Sequence, residues 1–142
     1  MGGERARRRE PLLLHDPAGR LLTPLVLVVD DSELVTDALA VLLDAVGYRS
    51  RAAGSVAEAL RATREEPPDA ALVDLTLPDG DGLDVVRTLA AEGRMPRAVV
   101  ALTGRDDPET EARCLAAGCR AVLVKPVRPA VLVAGLREWL GA

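Results

Sequence analysis

Aromatic residues are almost missing from this chain: among 142 residues there is one Tyr, one Trp and no Phe. The core must therefore come from Leu, Val and Ala, and the stacked-ring platforms that hold single-stranded nucleic acid are excluded. Histidine is just as scarce. His15 is the only one and lies near the N-terminus, a bystander far from any nucleophile that would need an imidazole base. The two cysteines, Cys114 and Cys119, lack CxxC spacing and a nearby His, which argues against a zinc site or disulfide framework. No apolar run approaches the ~18 residues of a membrane span. Arg7-Arg8-Arg9 ahead of Leu12-Leu13-Leu14 has the order of a signal peptide, but His15, Asp16 and Pro17 cut it short. A cytoplasmic protein is expected.

Lysine is the last scarcity. Of 18 basic residues, Lys125 alone is lysine, in a chain of net charge −4. The first 20 residues carry a local +2 and the remainder −6. That balance is a poor footprint for DNA or an anionic membrane, so neither is expected as a direct partner.

What is present is 49% hydrophobic and 28% charged residues, a globular composition. From residue 24 onward, short β-branched runs alternate with segments of helical period. Leu25–Val29, Tyr48–Ala53, Ala70–Asp74, Ala98–Thr103 and Ala121–Val124 read as strands, the second more polar and near an edge. Ser32 opens the first helix, with Leu34, Val35, Ala38, Leu42 and Val46 as its apolar face. Ser55-Val56-Ala57-Glu58 is a capping box, and Pro67-Pro68 stops the helix it begins. A third helix runs from about Gly82 to Glu92. Asp107-Pro108 opens the fourth, and Pro129 the fifth. Five βα repeats predict an α/β fold: a parallel five-stranded sheet, doubly wound in three layers. Residues 1–23 stand apart as an N-terminal extension, either disordered or a small hairpin turning at Asp16-Pro17-Ala18-Gly19. Residues 24–142 are expected to form the domain, with no output domain expected after the fifth helix.

Polar residues fall at the carboxyl ends of the strands, where ligands bind in such sheets. They are Asp30 and Asp31, Asp74, Thr103 and Lys125. No GxGxxG or GxxxxGK[ST] accompanies them, so a dinucleotide or nucleoside triphosphate is not expected. Clustered carboxylates repel one another unless a cation sits among them, and oxygen ligands of this kind suit Mg²⁺. Lys125 adds a compact positive charge for a phosphate, and Thr103 a hydroxyl. The chemistry implied is metal-assisted phosphoryl transfer to a carboxylate.

Asp30-Asp31, Asp74-Leu75-Thr76-Leu77-Pro78 with Gly82, Thr103-Gly104 and Lys125-Pro126 resemble the response-regulator receiver domain of two-component signalling. The resemblance spans about residues 24–140. It implies a flavodoxin-like (βα)5 fold with strand order 2-1-3-4-5, and Asp74 as the phosphoacceptor. It also implies Mg²⁺ on Asp30, Asp31, Asp74 and the backbone carbonyl of Thr76. Thr103 becomes the switch hydroxyl, and Lys125 pairs with the phosphate across a cis Lys125-Pro126 bond. Thr76 and Arg105 fall at positions that tune phosphoryl lifetime. One departure stands out: Val122 occupies the strand-five position where the family usually has Tyr or Phe.

Two readings follow. In the first, the chain is a phosphorylation switch rather than a turnover enzyme. It is charged by a sensor histidine kinase or phosphotransfer protein, and it docks a downstream protein through its last two βα units. The alternative is a receiver-like interaction module that is never phosphorylated.

Overall fold

The computed structural model describes residues 23–141, so the expectation for the extension lies almost wholly outside the described residues. Five strands form one parallel sheet: β1 (Leu25–Val29), β2 (Arg49–Ala53), β3 (Ala70–Asp74), β4 (Ala98–Thr103) and β5 (Ala121–Val124). Their order is 2-1-3-4-5, as the resemblance implied. Five helices connect and close it: α1 (Glu33–Ala45), α2 (Val56–Glu65), α3 (Leu83–Ala91), α4 (Pro108–Ala117) and α5 (Pro129–Leu140). No helix among the described residues is long and apolar enough to cross a membrane.

The strand period of two sorts the side chains between two cores. Leu27, Val29, Ala71, Val73, Val99 and Ala101 meet Ala59, Leu83, Val86, Leu89 and Cys114 on one face. Val26, Val28, Leu72, Val100 and Leu102 meet Leu43, Leu132 and Leu136 on the other. Each fully buried Leu or Val contributes roughly 1.5–3 kcal/mol, which is how a core with so few aromatic rings sustains the domain. β1, β3 and β4 are buried along their whole length, and the polar β2 lies at the edge.

The caps follow the sequence closely. Ser32 Oγ accepts from Val35 N–H at 3.3 Å, Ser55 Oγ from Glu58 N–H at 3.1 Å, and Asp107 Oδ1 from Thr110 N–H at 2.7 Å. The capping box differs in one bond, because Glu58 reaches the N–H of Gly54 rather than that of Ser55. The Trp139 ring folds over Gly135, where a Cβ would lie 2.5 Å from it, so a larger residue there would have to displace the ring. The C-terminus of α5 sits where the strands begin, with the carbonyl of Leu140 accepting from Arg97 just ahead of β4.

Two expectations need correction. The inner face of α1 carries Thr36, Leu39, Leu42, Leu43 and Val46, whereas Leu34 is 82% exposed and Ala38 is also exposed. Apolar residues occur on nearly every side of α1, so its period did not set which side faces the sheet. Between Asp74 and α3, two two-residue strands, Thr76–Leu77 and Gly80–Asp81, pair as an antiparallel hairpin that the sequence did not announce.

Candidate functional site

Four of the five strands, β1, β3, β4 and β5, deliver polar groups to the same edge of the sheet. Asp30 follows β1 and is 3% exposed; its backbone N–H donates to the carbonyl of Ala53 at 3.0 Å, and its Oδ1 accepts from Ser32 N–H at 2.9 Å. Asp31, next in the chain, is exposed and has no ion-pair partner among the described residues. Asp74 ends β3 and is 7% exposed. Carboxylate oxygens of Asp30, Asp31 and Asp74 all lie within 4.8 Å of one another. These are the three acids expected to share a cation.

Lys125 bridges two of them. Its ammonium is 3.1 Å from Asp30 Oδ2 and 3.1 Å from Asp74 Oδ2. Burial alone pulls the Lys125 pKa down, but hydrogen bonds and charge from Asp74 and Asp30 outweigh it and raise the pKa. The residue is therefore cationic at any physiological pH. The Lys125-Pro126 bond is cis. Three carboxylates against one ammonium leave a formal charge near −2, and all the donors are hard oxygens. That set fits Mg²⁺, which binds through one or two carboxylates and keeps several waters.

Thr103 ends β4 and is 4% exposed. Its hydroxyl oxygen accepts from the N–H of Arg105 at 2.9 Å, and its carbonyl accepts from Lys125 N–H at 2.7 Å. Thr76 is exposed, and its N–H donates to Asp74 Oδ1 at 3.2 Å. The Arg105 side chain turns away to pair with Asp107 at 3.0 Å and is 77% exposed. Arg105 thus stands at the rim while its backbone touches the Thr103 hydroxyl. Gly82 makes the tight return after the hairpin: a Cβ there would lie 2.0 Å from the carbonyl oxygen of Asp74. Val122 is half-buried on β5, paired in register with Ala101.

Three features were not read from the sequence. A groove of about 540 Å³ runs beside Lys125, lined by Leu34, Val35, Ala38, Leu39, Pro126 and Val127. A second cavity, of about 660 Å³, lies between Thr76, Thr103 and Arg105 and is walled by an Asp81–Arg113 ion pair of 2.7 Å. Asp79, at the hairpin tip, caps α2. The sequence pattern places Leu34 on the inner face of α1, which hides the first. The other two join residues about 20–30 positions apart and have no local signature.

A doubly wound sheet carries its ligand site at the switch point in strand order, and here that edge holds an acidic pocket with a single lysine. The profile of the response regulator receiver domain matches residues 26–137, and the chain belongs to that family. It is 37% identical over 115 residues to the DNA-binding response regulator MtrA of Mycolicibacterium paratuberculosis, covering 81% of this chain and 50% of that protein. It is 38% identical over 113 residues to the transcriptional regulatory protein KdpE of Mycobacterium tuberculosis, covering 80% and 49%. The chain therefore spans about half the length of these relatives. Among solved structures it resembles chemotaxis protein CheY4 of Vibrio cholerae, with a TM-score of 0.76, 26% identity, and coverage of 82% of this chain and 98% of that one. A CheY-like receiver domain protein of Methanospirillum hungatei gives 0.77, 28%, 84% and 94%. Receiver domains are phosphoacceptor modules charged by histidine kinases, with phosphoaspartate and Mg²⁺ as family features, and they are generally not turnover enzymes.

Proposed function

We propose that residues 24–142 act as a phosphorylation switch in which Asp74 is the acceptor. A carboxylate oxygen of Asp74 attacks phosphorus on a phosphohistidine, a P–O bond forms, the P–N bond breaks, and the electron pair leaves with the imidazole. The donor is a sensor histidine kinase or a phosphotransfer protein. Asp30, Asp31 and Asp74, with the carbonyl of Thr76, would hold Mg²⁺, which when bound neutralises charge on the phosphoryl oxygens. Lys125 keeps Asp74 and Asp30 apart in charge before transfer and offers its ammonium to the phosphate afterwards. The observation that carries this reading is the convergence of Asp30, Asp31, Asp74 and Lys125 in one pocket at the sheet's carboxyl edge.

Thr103 supplies the switch. When its hydroxyl turns toward the phosphate, it gives up the N–H of Arg105, so the loop leading to α4 is released. Thr76 and Arg105 flank the approach of water and set the lifetime of the acyl phosphate. The groove beside Lys125, with Leu34 on its rim, suits a helix of the phosphohistidine donor. Leu115, Val124 and Val131 are exposed apolar residues on the last two βα units, and they support output by docking a protein there. We read the site of action as cytoplasmic, with neither nucleic acid nor membrane as a direct partner of these residues.

The test is incubation with Mg²⁺ and acetyl phosphate or a phosphohistidine donor, read by intact mass. The parent gains one phosphate, and Asp74→Asn and Asp74→Ala gain none. A parent that takes up no phosphate fits the unphosphorylated module instead, and undiminished labelling of either variant refutes the acceptor.

A further inference from the structure

The hairpin after Asp74 is fixed at both ends of its span. Leu77 is buried in the core between α2 and α3, and the tip carries Asp79, which is exposed. Its Oδ1 accepts from the N–H of Val56 at 2.7 Å and its Oδ2 from the N–H of Ala57 at 3.1 Å. These are free donors of the first turn of α2, which carries the positive end of the helix dipole. The bonds to Val56 and then Ala57 hold the Asp79 carboxyl below its usual range, so it is a full anion at neutral pH. The same helix start also meets the other side of the acidic pocket. Gly54 lies against the loop of Asp30 and Asp31, with its Cβ direction 3.9 Å from the Asp30 carbonyl and 3.9 Å from the Asp31 Cα. The Asp30-Asp31 loop is thus tied to the strand that leads into α2, through the Asp30 N–H bond to Ala53, and the acceptor loop is tied to the start of α2 through Asp79.

We propose that Asp79 is a positioning residue for the Mg²⁺ site. By docking the hairpin on α2 it fixes the loop that holds the Thr76 carbonyl and the Thr76 N–H bond to Asp74, at a set distance from Asp31. This rests on the metal reading of the acidic pocket. Asp79 itself touches neither metal nor phosphate. It acts by removing the freedom of a loop that mutual repulsion among three carboxylates would otherwise push outward.

The test uses Mg²⁺ alone, titrated into the parent and three variants while the amide shifts of Thr76 and Leu75 are followed. Asp79→Ala is expected to weaken Mg²⁺ binding by about three- to tenfold, at or below the range for groups bonded directly to a ligand. Asp79→Asn keeps an acceptor oxygen and recovers most of that loss. Ser55→Ala supplies the control, because it removes another cap of the same helix without touching the hairpin. It lowers stability but leaves Mg²⁺ affinity unchanged. Equal Mg²⁺ affinity in the parent and Asp79→Ala overturns the proposal, as does equal weakening in Ser55→Ala. A parent whose shifts do not respond to Mg²⁺ refutes the metal site itself, and the proposal with it.

Discussion

Replacing Lys125 by Met removes the one cation of the acidic pocket while keeping a chain of similar length. Its ammonium is 3.1 Å from both Asp30 and Asp74, whose side chains are 2% and 10% exposed, and is itself 31% exposed. At an effective dielectric of about 20, unit charges 4 Å apart attract by about 4 kcal/mol, and two such contacts are lost. Desolvation of all three groups offsets most of that. Breaking a buried pair costs about 3–5 kcal/mol, and partial exposure of the lysine argues for about 2–3 kcal/mol here. For a domain of this size that is a fall in Tm of about 8–12 °C in EDTA. Mg²⁺ should then recover part of the loss, because the variant pocket is one unit more negative. At Mg²⁺ ten times the parent's Kd, binding adds about 1.4 kcal/mol to the parent. A site tightened tenfold gains about 2.7 kcal/mol, so the deficit narrows by about 5 °C. Thermal unfolding followed by circular dichroism, with and without Mg²⁺, measures both numbers. A Lys125→Met protein as stable as the parent in EDTA would refute the electrostatic account. So would a deficit that Mg²⁺ leaves unchanged.

Three further outcomes are expected. Asp31→Asn removes a carboxylate with no ion-pair partner among the described residues, so it should raise Tm in EDTA and weaken Mg²⁺ binding; calorimetric titration showing an unchanged Kd contradicts this. Burial pushes the thiol of Cys114 up and that of Cys119 up to about 12, with Cys114 adding to the latter. Both should therefore resist a thiol-specific reagent at pH 8 until the chain unfolds. A thiol whose folded pKa is raised stabilises fully below its unfolded value of about 8.5 and loses that contribution as pH climbs toward 12. The urea midpoint should fall between pH 8.5 and 10.5, and less steeply in Cys119→Ala. Beryllofluoride should shift the amides of residues 103–112 strongly and that of Val122 little, since the Arg105–Thr103 bond is the one that must break. Val122→Tyr should leave phosphate uptake intact, and a mimic that leaves residues 103–112 unmoved would refute the loop relay.

Most of the sheet was legible because parallel strands buried on both faces appear as unbroken aliphatic runs, and Leu25–Val29 and Ala98–Thr103 are such runs. The pocket was legible because each of its members directly follows one of those runs. What escaped had a different physical origin. Thr76–Leu77 and Gly80–Asp81 are too short to display a period, and the Asp79 bonds to α2 and the close return at Gly82 that accompany them join residues with no local pattern. Leu34 was assigned inward because α1 offers apolar residues in more than one phase. Only packing against Val26, Val28 and Leu72 decides which phase wins, and it leaves Leu34 on the rim of the groove beside Lys125. Arg113 and Asp81 meet only because α4 and the hairpin pack side by side.

The indole folded over Gly135 has a practical consequence for anyone who studies this protein by light. Trp139 is the only tryptophan, and it sits by Leu140 at the end of the sheet where the strands begin, opposite to the acids. Tyr48, the sole tyrosine, packs in the same core as Trp139. The intrinsic emission of the chain is therefore a gauge of whether α5 stays docked, and it is blind to events around Asp74. A fluorescence assay for the pocket needs a ring introduced near it, and Val122→Trp on β5 puts one beside the loop that follows Thr103.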